Sequence, residues 1–213
     1  MCIVGTEGGE SRNWKVGRIM TKVEDRQAVR ILKKGGVVCF PTDTVWGVGA
    51  AVSSVTGIEK LYRVKKRAQD KPTAILVNSF HMAKKYGKFD DRSWNLAVKY
   101  WPGGVTIVVP VRKGRVPRLI LGGVDKVGLR IPDNELTLNL LDKLGEGMVT
   151  ASANFAGEKA PVQEEDLSAD LLGLVDARYG GGAGSGVSST VIDTTAKGLD
   201  VLREGSVKIP YKK

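Results

Sequence analysis

Chemistry-bearing residues gather in a few short stretches of this 213-residue chain. In "YRVKKRAQDKP", residues 62–72, five cations (Arg63, Lys65, Lys66, Arg67 and Lys71) fall within eleven positions, directly before an apolar run at 73–77 that reads as a buried strand. A charge run of this kind is commonly one solvated helix face. Helical spacing offers a second reading, since Lys60, Arg63 and Arg67 would share a face while Lys65 turns another way. Such a helix end aims several cations at one loop, as a triphosphate requires: guanidinium forks for bidentate contact and ammonium groups as point charges. A second stretch, "TASAN" at 150–154, follows a strand-like "GMV" and reads either as a small-residue strand end whose hydroxyls satisfy the backbone or as part of a site. With "PTDT" at 41–44 and "SSTVID" at 188–193 it makes three hydroxyl-rich strand boundaries. In open α/β sheets the loops at strand ends form the ligand crevice.

Other chemistry is disfavoured. There is no GxxxxGK[ST], and "GGGAGSG" at 180–186 lacks the strand, GxGxxG and helix context of a dinucleotide fold; it reads as a flexible connection or as a loop hugging a ligand. The single histidine, His81, has helical surroundings and no GxSxG partner, which argues against a histidine-based hydrolase. Cys2 and Cys39 form no zinc or disulfide spacing, so a reducing compartment fits. No apolar stretch approaches the roughly 18 residues of a spanning helix, and the first fifteen residues lack a signal peptide's basic lead and apolar core; a soluble, cytoplasmic protein is expected. A formal charge of +10 favours phosphate-bearing partners without choosing among nucleotide, nucleic acid and anionic membrane.

The elements that must position these residues follow from periodicity. Residues 1–21 read as a loose arm, and 22–213 as a single domain. "EDRQAVRILKKGG" is a helix stopped by Gly35-Gly36, followed by a strand "VVCF" running into "PTDT". Helices are expected near 58–66, 93–100, 136–144 and 164–172, and strands at 73–77, 105–111, 127–131, 148–151, 190–192 and 199–202. Interleaving of this kind predicts an α/β layered fold with a mixed sheet.

The ordered blocks "FPTDTVWGVGA", "LYRVKKRAQDKPTAILV", "YWPGGVTIVV", "VGLRIPD", "VTASANFAGEKAP", "SSTVID" and "VLREGSV" resemble the Sua5/YciO/YrdC family of L-threonylcarbamoyladenylate synthases, over about residues 23–207. The family's KxR and SxN signatures match Lys65, Arg67, Ser152 and Asn154. Departures are Trp46 where tyrosine is frequent, Ala68 where proline follows the arginine, and Gly104-Val105 where Pro-Leu is usual. The chain resembles the short, single-domain members.

The resemblance implies a YrdC-like twisted mixed sheet flanked by helices around a large basic concave cavity. It implies a nucleotidyltransferase that makes threonylcarbamoyl-AMP and pyrophosphate from L-threonine, bicarbonate or CO2, and ATP, with Mg2+ accompanying the ATP. The product would pass to the transferase machinery that forms threonylcarbamoyladenosine in tRNA. By motif position, Lys65, Arg67, Ser152 and Asn154 would be catalytic. Arg67, Lys71, Lys126, Ser152, Ala160 and Arg203 would meet ATP, and Thr44, Leu76, Arg130, Thr150 and Ser189 would line the threonine side. No carboxylate cluster suggests a protein-built metal cage, so no metal ligand is assigned. Two alternatives belong to other classes: a nonenzymatic protein that binds tRNA or double-stranded RNA through its positive charge, and a related adenylating enzyme with another amine substrate.

Overall fold

The computed structural model describes residues 22–66, 68, 71–196 and 198–210. The arm expected over 1–21 lies outside them.

Chain order is β1 (Lys22–Val23), α1 (Asp25–Lys33), β2 (Val38–Phe40), β3 (Gly47–Ala51), α2 (Val55–Val64), β4 (Ala74–Leu76), α3 (Phe80–Tyr86), α4 (Asp91–Tyr100), β5 (Val105–Pro110), β6 (Lys126–Arg130), α5 (Glu135–Leu144), β7 (Met148–Ser152), α6 (Ala169–Leu172), β8 (Ala177–Tyr179), β9 (Thr190–Asp193) and β10 (Asp200–Arg203). Helices α2, α3 and α4 start where a side chain satisfies one of the first amides. Ser54 Oγ accepts from Gly57 N, Ser79 Oγ from Met82 N, and Asp90 and Ser93 form a reciprocal capping box on α4. Behind α1, Gly35 takes a left-handed φ of 81° that a side chain rarely adopts, which fixes the stop read from "GG".

All ten strands join one sheet in the order β1-β8-β2-β3-β7-β4-β6-β5-β9-β10. The pairs β1·β8, β2·β8, β4·β6 and β5·β9 are parallel and the remaining five antiparallel, so the sheet is mixed as expected. Side chains alternate between its faces. Val38 and Phe40 of β2 pack with Leu32 of α1 and Leu140, Leu141 and Leu144 of α5, whereas Cys39 between them packs with Ile58 and Leu61 of α2 on the other face. Burial pushes the Cys39 thiol up to about 12, which leaves it an inert core residue.

Three expectations need correction. The helix read over 164–172 is broken: a 3-10 turn covers Glu164–Asp166 and α6 begins only at Ala169, because Leu167 and Ser168 are extended. The central strand β3 was missed. Its sequence, GVGAA, has poor strand propensity, but a Cβ on Gly49 would lie 2.9 Å from Met148 and 3.0 Å from Phe40, so close strand packing selects glycine there. The helix read over 58–66 also stops earlier, since α2 ends at Val64, and Lys60 on it pairs with Asp176 at 2.6 Å.

Candidate active site

One cavity of about 480 Å³ opens at the junction of the sheet's middle strands. Its wall takes Thr44 from the turn between β2 and β3, Leu76 from the end of β4, Lys126 and Arg130 from the two ends of β6, and Thr150 and Ser152 from β7. Lys65, Asn154, Ser189 and Arg203 complete the expected residues on that wall. The three hydroxyl-rich boundaries therefore do converge, because β2, β7 and β9 bring their ends to one side of the sheet.

Arg130 is an enclosed cation, 5% exposed. Its Nε donates to Gly103 O at 2.9 Å, Nη1 to Thr44 Oγ1 at 3.0 Å, and Nη2 to Asp43 Oδ1 at 2.5 Å. Burial pulls its pKa down from the ordinary value, the Asp43 carboxylate pushes it up, and the charge of Arg203 pulls it down again. Two guanidiniums on one wall thus disfavour each other. Arg203 is itself oriented by Ser189, with Nε on the carbonyl at 3.0 Å and Nη2 on Oγ at 2.9 Å, while Ser189 Oγ also meets Thr106 Oγ1 at 2.9 Å.

Lys65 caps α2 and is 5% exposed, so it is a buried cation and not a loop charge in solvent. Its ammonium donates to Ser152 O at 2.5 Å, to Asn154 Oδ1 at 3.2 Å and to Asn154 O, tying the KxR segment to the SxN segment directly. The next residue, Lys66, has a positive φ of 47° and lies 4.7 Å over the Phe155 ring. Lys126 meets Asp193 Oδ2 at 2.5 Å, and Asp193 Oδ1 accepts from Thr195 N and Oγ1 at 2.8 and 2.7 Å. Burial raises the Asp193 pKa, but the Lys126 and Thr195 bonds outweigh it and hold the carboxyl below its ordinary value.

Not every expected residue reaches the wall. Lys71 is exposed, its carbonyl accepting from Tyr62 Oη at 3.1 Å, and half-buried Ala160 does not line the cavity; the carbonyl of the next residue, Pro161, accepts from Trp46 N at 2.9 Å. Arg67 lies outside the described residues.

Sequence reasoning missed Asp43 and Asp193, the acids that orient Arg130 and Lys126. Both lay inside quoted blocks; the available signal was an acid beside hydroxyls at a strand end. The glycine loop was read as ambiguous, and it grips the turn instead. Ser185 N donates to Asp43 O and Gly186 N to Thr44 O, both at 2.9 Å, and Trp46 Nε1 donates to Gly182 O at 3.0 Å.

Comparison with known proteins now adds to this geometry. The Sua5/YciO/YrdC family model, described as telomere recombination, matches residues 30–205. The chain belongs to the Sua5/YciO/YrdC family. Threonylcarbamoyl-AMP synthase of Pyrococcus abyssi is 33% identical over 86% of the chain and 54% of its own length; that of Bacillus subtilis is 31% identical over 85% and 53%. The chain thus spans about half the length of these curated relatives. A crystal structure of P. abyssi Sua5 complexed with L-threonine matches with a TM-score of 0.81 at 33% identity, covering 87% of this chain and 56% of that one. The mixed, twisted α/β sheet with flanking helices is the family's fold. Among the described residues no helix is long and apolar enough to cross a membrane.

Proposed function

We propose that this Sua5/YciO/YrdC member forms threonylcarbamoyl-AMP and pyrophosphate from L-threonine, bicarbonate or CO2, and ATP, for threonylcarbamoyladenosine modification of tRNA. The observation that carries the reading is the pair Arg130 and Arg203. Both are held by hydrogen bonds on one cavity wall, where their charges disfavour each other, a repulsion that a bound anion would relieve. The relatives' name and the threonine complex of P. abyssi Sua5 support the choice of substrates.

The reaction needs no enzyme nucleophile. The threonine amine attacks CO2, forming the carbamate C–N bond and releasing a proton. A carbamate oxygen then attacks the α-phosphorus, and the bond to the bridging oxygen breaks to release pyrophosphate. Arg130 would hold the threonine carboxylate through the guanidinium edge that Asp43 and Thr44 have aligned. Lys126 and Arg203, with Arg67, would neutralise charge on the triphosphate, so that catalysis comes from positioning and electrostatic stabilisation. Lys65 would keep Ser152 and Asn154 in place beside the phosphates. Among the described residues no group of three or more His, Cys, Asp or Glu is arranged to hold a metal ion. Magnesium would accompany ATP as the MgATP substrate, where phosphates and water supply its ligands.

Incubation with MgATP, bicarbonate and L-threonine tests the reading. Pyrophosphate and a threonine-dependent adenylate of the expected mass should appear together. ATP turnover with another amine and none with threonine would instead select the related adenylating enzyme.

A further inference from the structure

The last strand of the sheet carries an irregularity that aims one cavity residue. Strand β10 pairs with β9 as Val201 opposite Ile192 and Arg203 opposite Val191, so Leu202 is an extra residue on β10. Neighbours on a regular strand point to opposite faces. Here Leu202 and Arg203 both line the reaction cavity, because the bulge turns the end of β10. A bulge disrupts the ladder locally, and among the described strands β10 has a partner on one side only. The chain beyond it supplies further hold. Residues 204–207 fold back as a strap: Ser206 N donates to Ser188 O at 2.9 Å, and Gly205 N and Val207 N both donate to Thr190 Oγ1, at 3.1 and 3.2 Å. That hydroxyl donates in turn to Val207 O at 2.6 Å. A hydroxyl has one proton and two lone pairs, and Thr190 Oγ1 commits all three to the strap. The fit is close, since a Cβ on Gly205 would lie 2.2 Å from Ser188 O and one on Gly104 2.2 Å from Ser206 Oγ.

We infer that Thr190 is a positioning residue: through the strap it fixes the turned end of β10, and with it the Arg203 guanidinium, against the wall that carries Arg130. Thr190 is buried, 1% exposed, and does not itself line the cavity, so it acts on a ligand only through its neighbours. Those neighbours are the residues that hold the two arginines. Ser189, one position earlier, takes the Arg203 guanidinium on its carbonyl and hydroxyl. Thr190 N donates to Gly104 O at 2.9 Å, beside Gly103, whose carbonyl accepts from Arg130 Nε. Arg130 has further partners in Thr44 and Asp43, which are remote from the strap in sequence. Loss of the Thr190 hydroxyl therefore acts on Arg203 far more than on Arg130. The inference rests on the proposed function for its ligand, since Arg203 is there assigned to the triphosphate.

The test compares, in the full chain, Thr190→Val, which removes the hydroxyl, with Thr190→Ser, which keeps it. One readout needs no ligand: the Nε–H resonance of Arg203 in nitrogen-edited NMR, set by its bond to Ser189 O. It should move toward that of a solvated guanidinium in Thr190→Val and stay in place in Thr190→Ser. The other readout is calorimetric affinity. MgATP should bind Thr190→Val about tenfold more weakly, the worth of one hydrogen bond to a charged group, and Thr190→Ser as wild type. L-Threonine affinity should stay within about twofold throughout, as for a site that shares no partner with the change. In an Arg203→Ala background, Thr190→Val should add no further loss of MgATP affinity, because the two residues act as a unit. An unmoved Arg203 resonance in Thr190→Val overturns the inference. So does an equal loss of affinity for MgATP and threonine, which marks general loosening, or a full further loss in the Arg203→Ala background. If the resonance moves as described but Arg203→Ala binds MgATP as wild type does, the proposed placement of the triphosphate fails and the role of Thr190 stands. Should Thr190→Val fail to fold, Gly205→Ala, which pushes the strap off Ser188 O, is expected to give the same shift and the same loss; wild-type behaviour there would refute the assignment.

Discussion

Gly184→Ala probes whether the glycine loop holds the proposed threonine side of the cavity in register. A Cβ built on Gly184 would lie 2.3 Å from Thr44 O, 2.5 Å from Thr44 C and 3.0 Å from Thr42 O. Ordinary van der Waals contact begins near 3.4 Å, so loop or turn must move by about 1 Å. Neither moves freely. The loop is bonded to the turn through Ser185 and Gly186, and the turn is closed by Thr42 Oγ1 on Val45 O at 2.6 Å and held to Arg130 through Thr44 Oγ1. Forced displacement of well-packed atoms costs about 1–3 kcal/mol. In a chain of this size that lowers Tm by about 2–4 °C per kcal/mol. Because Thr44 and Asp43 orient Arg130, the same displacement should reduce kcat/KM for L-threonine by about 10²-fold, as a 1 Å misplacement of positioning groups does. Thermal denaturation and steady-state pyrophosphate release measure the two effects. Gly198→Ala, whose Cβ would meet nothing within 4 Å, serves as the neutral control. A Gly184→Ala protein with wild-type Tm and wild-type use of threonine would refute the role given to the loop.

Lys65→Ala should lower stability as well as turnover, by about 2 kcal/mol in urea denaturation, because the oxygens of Ser152 and Asn154 lose their buried partner; an unchanged midpoint would return Lys65 to the role of a phosphate contact only. Asp193, Asp90 and Asp25 all have carboxyl pKa values held below normal, by Lys126 and Thr195, by Ser93, and by Lys143 and Tyr179 respectively. The stability they contribute is therefore complete above the ordinary carboxylate range near about 4 and is lost as pH falls through the lower folded values; Asp193→Asn should flatten the acid limb of the stability profile, and a profile identical to wild type would contradict the Lys126 pair. L-2-aminobutyrate, which lacks the threonine hydroxyl, should be used about tenfold to hundredfold less efficiently if Thr150 and Ser189 orient that group, and equal kcat/KM for the two amino acids would count against the pocket.

Much of the architecture was legible because burial and strand periodicity coincide: the runs before "PTDT" and around 105–111, 127–131 and 148–151 are apolar and bounded by turn residues, and each became a strand. Gly47–Ala51 was illegible for the opposite reason, its small residues being selected by the Phe40 ring and the Met148 side chain rather than by local preference. The wall residues could be named through the family resemblance, but their partners could not. Nothing local tells that Lys65 is buried, that Asp43 lies 87 residues from the arginine it orients, or that Asp193 meets a lysine 67 residues earlier. These are products of sheet order, which only the folded chain displays.

That order has a consequence for synthesis on the ribosome. β1 pairs with β8, Lys22 opposite Arg178, and β5 pairs with β9, Val105 opposite Thr190, so strands made early wait for partners made late. Such distant pairing slows folding, because the closure entropy of long segments must be met before their contacts form. Ser189 and Arg203 are among the last cavity residues to be translated, after the other cavity walls have emerged. A nascent chain can therefore collapse its central strands while it still lacks the arginine whose charge disfavours that of Arg130, and this second cation of the wall arrives only when the sheet is nearly complete.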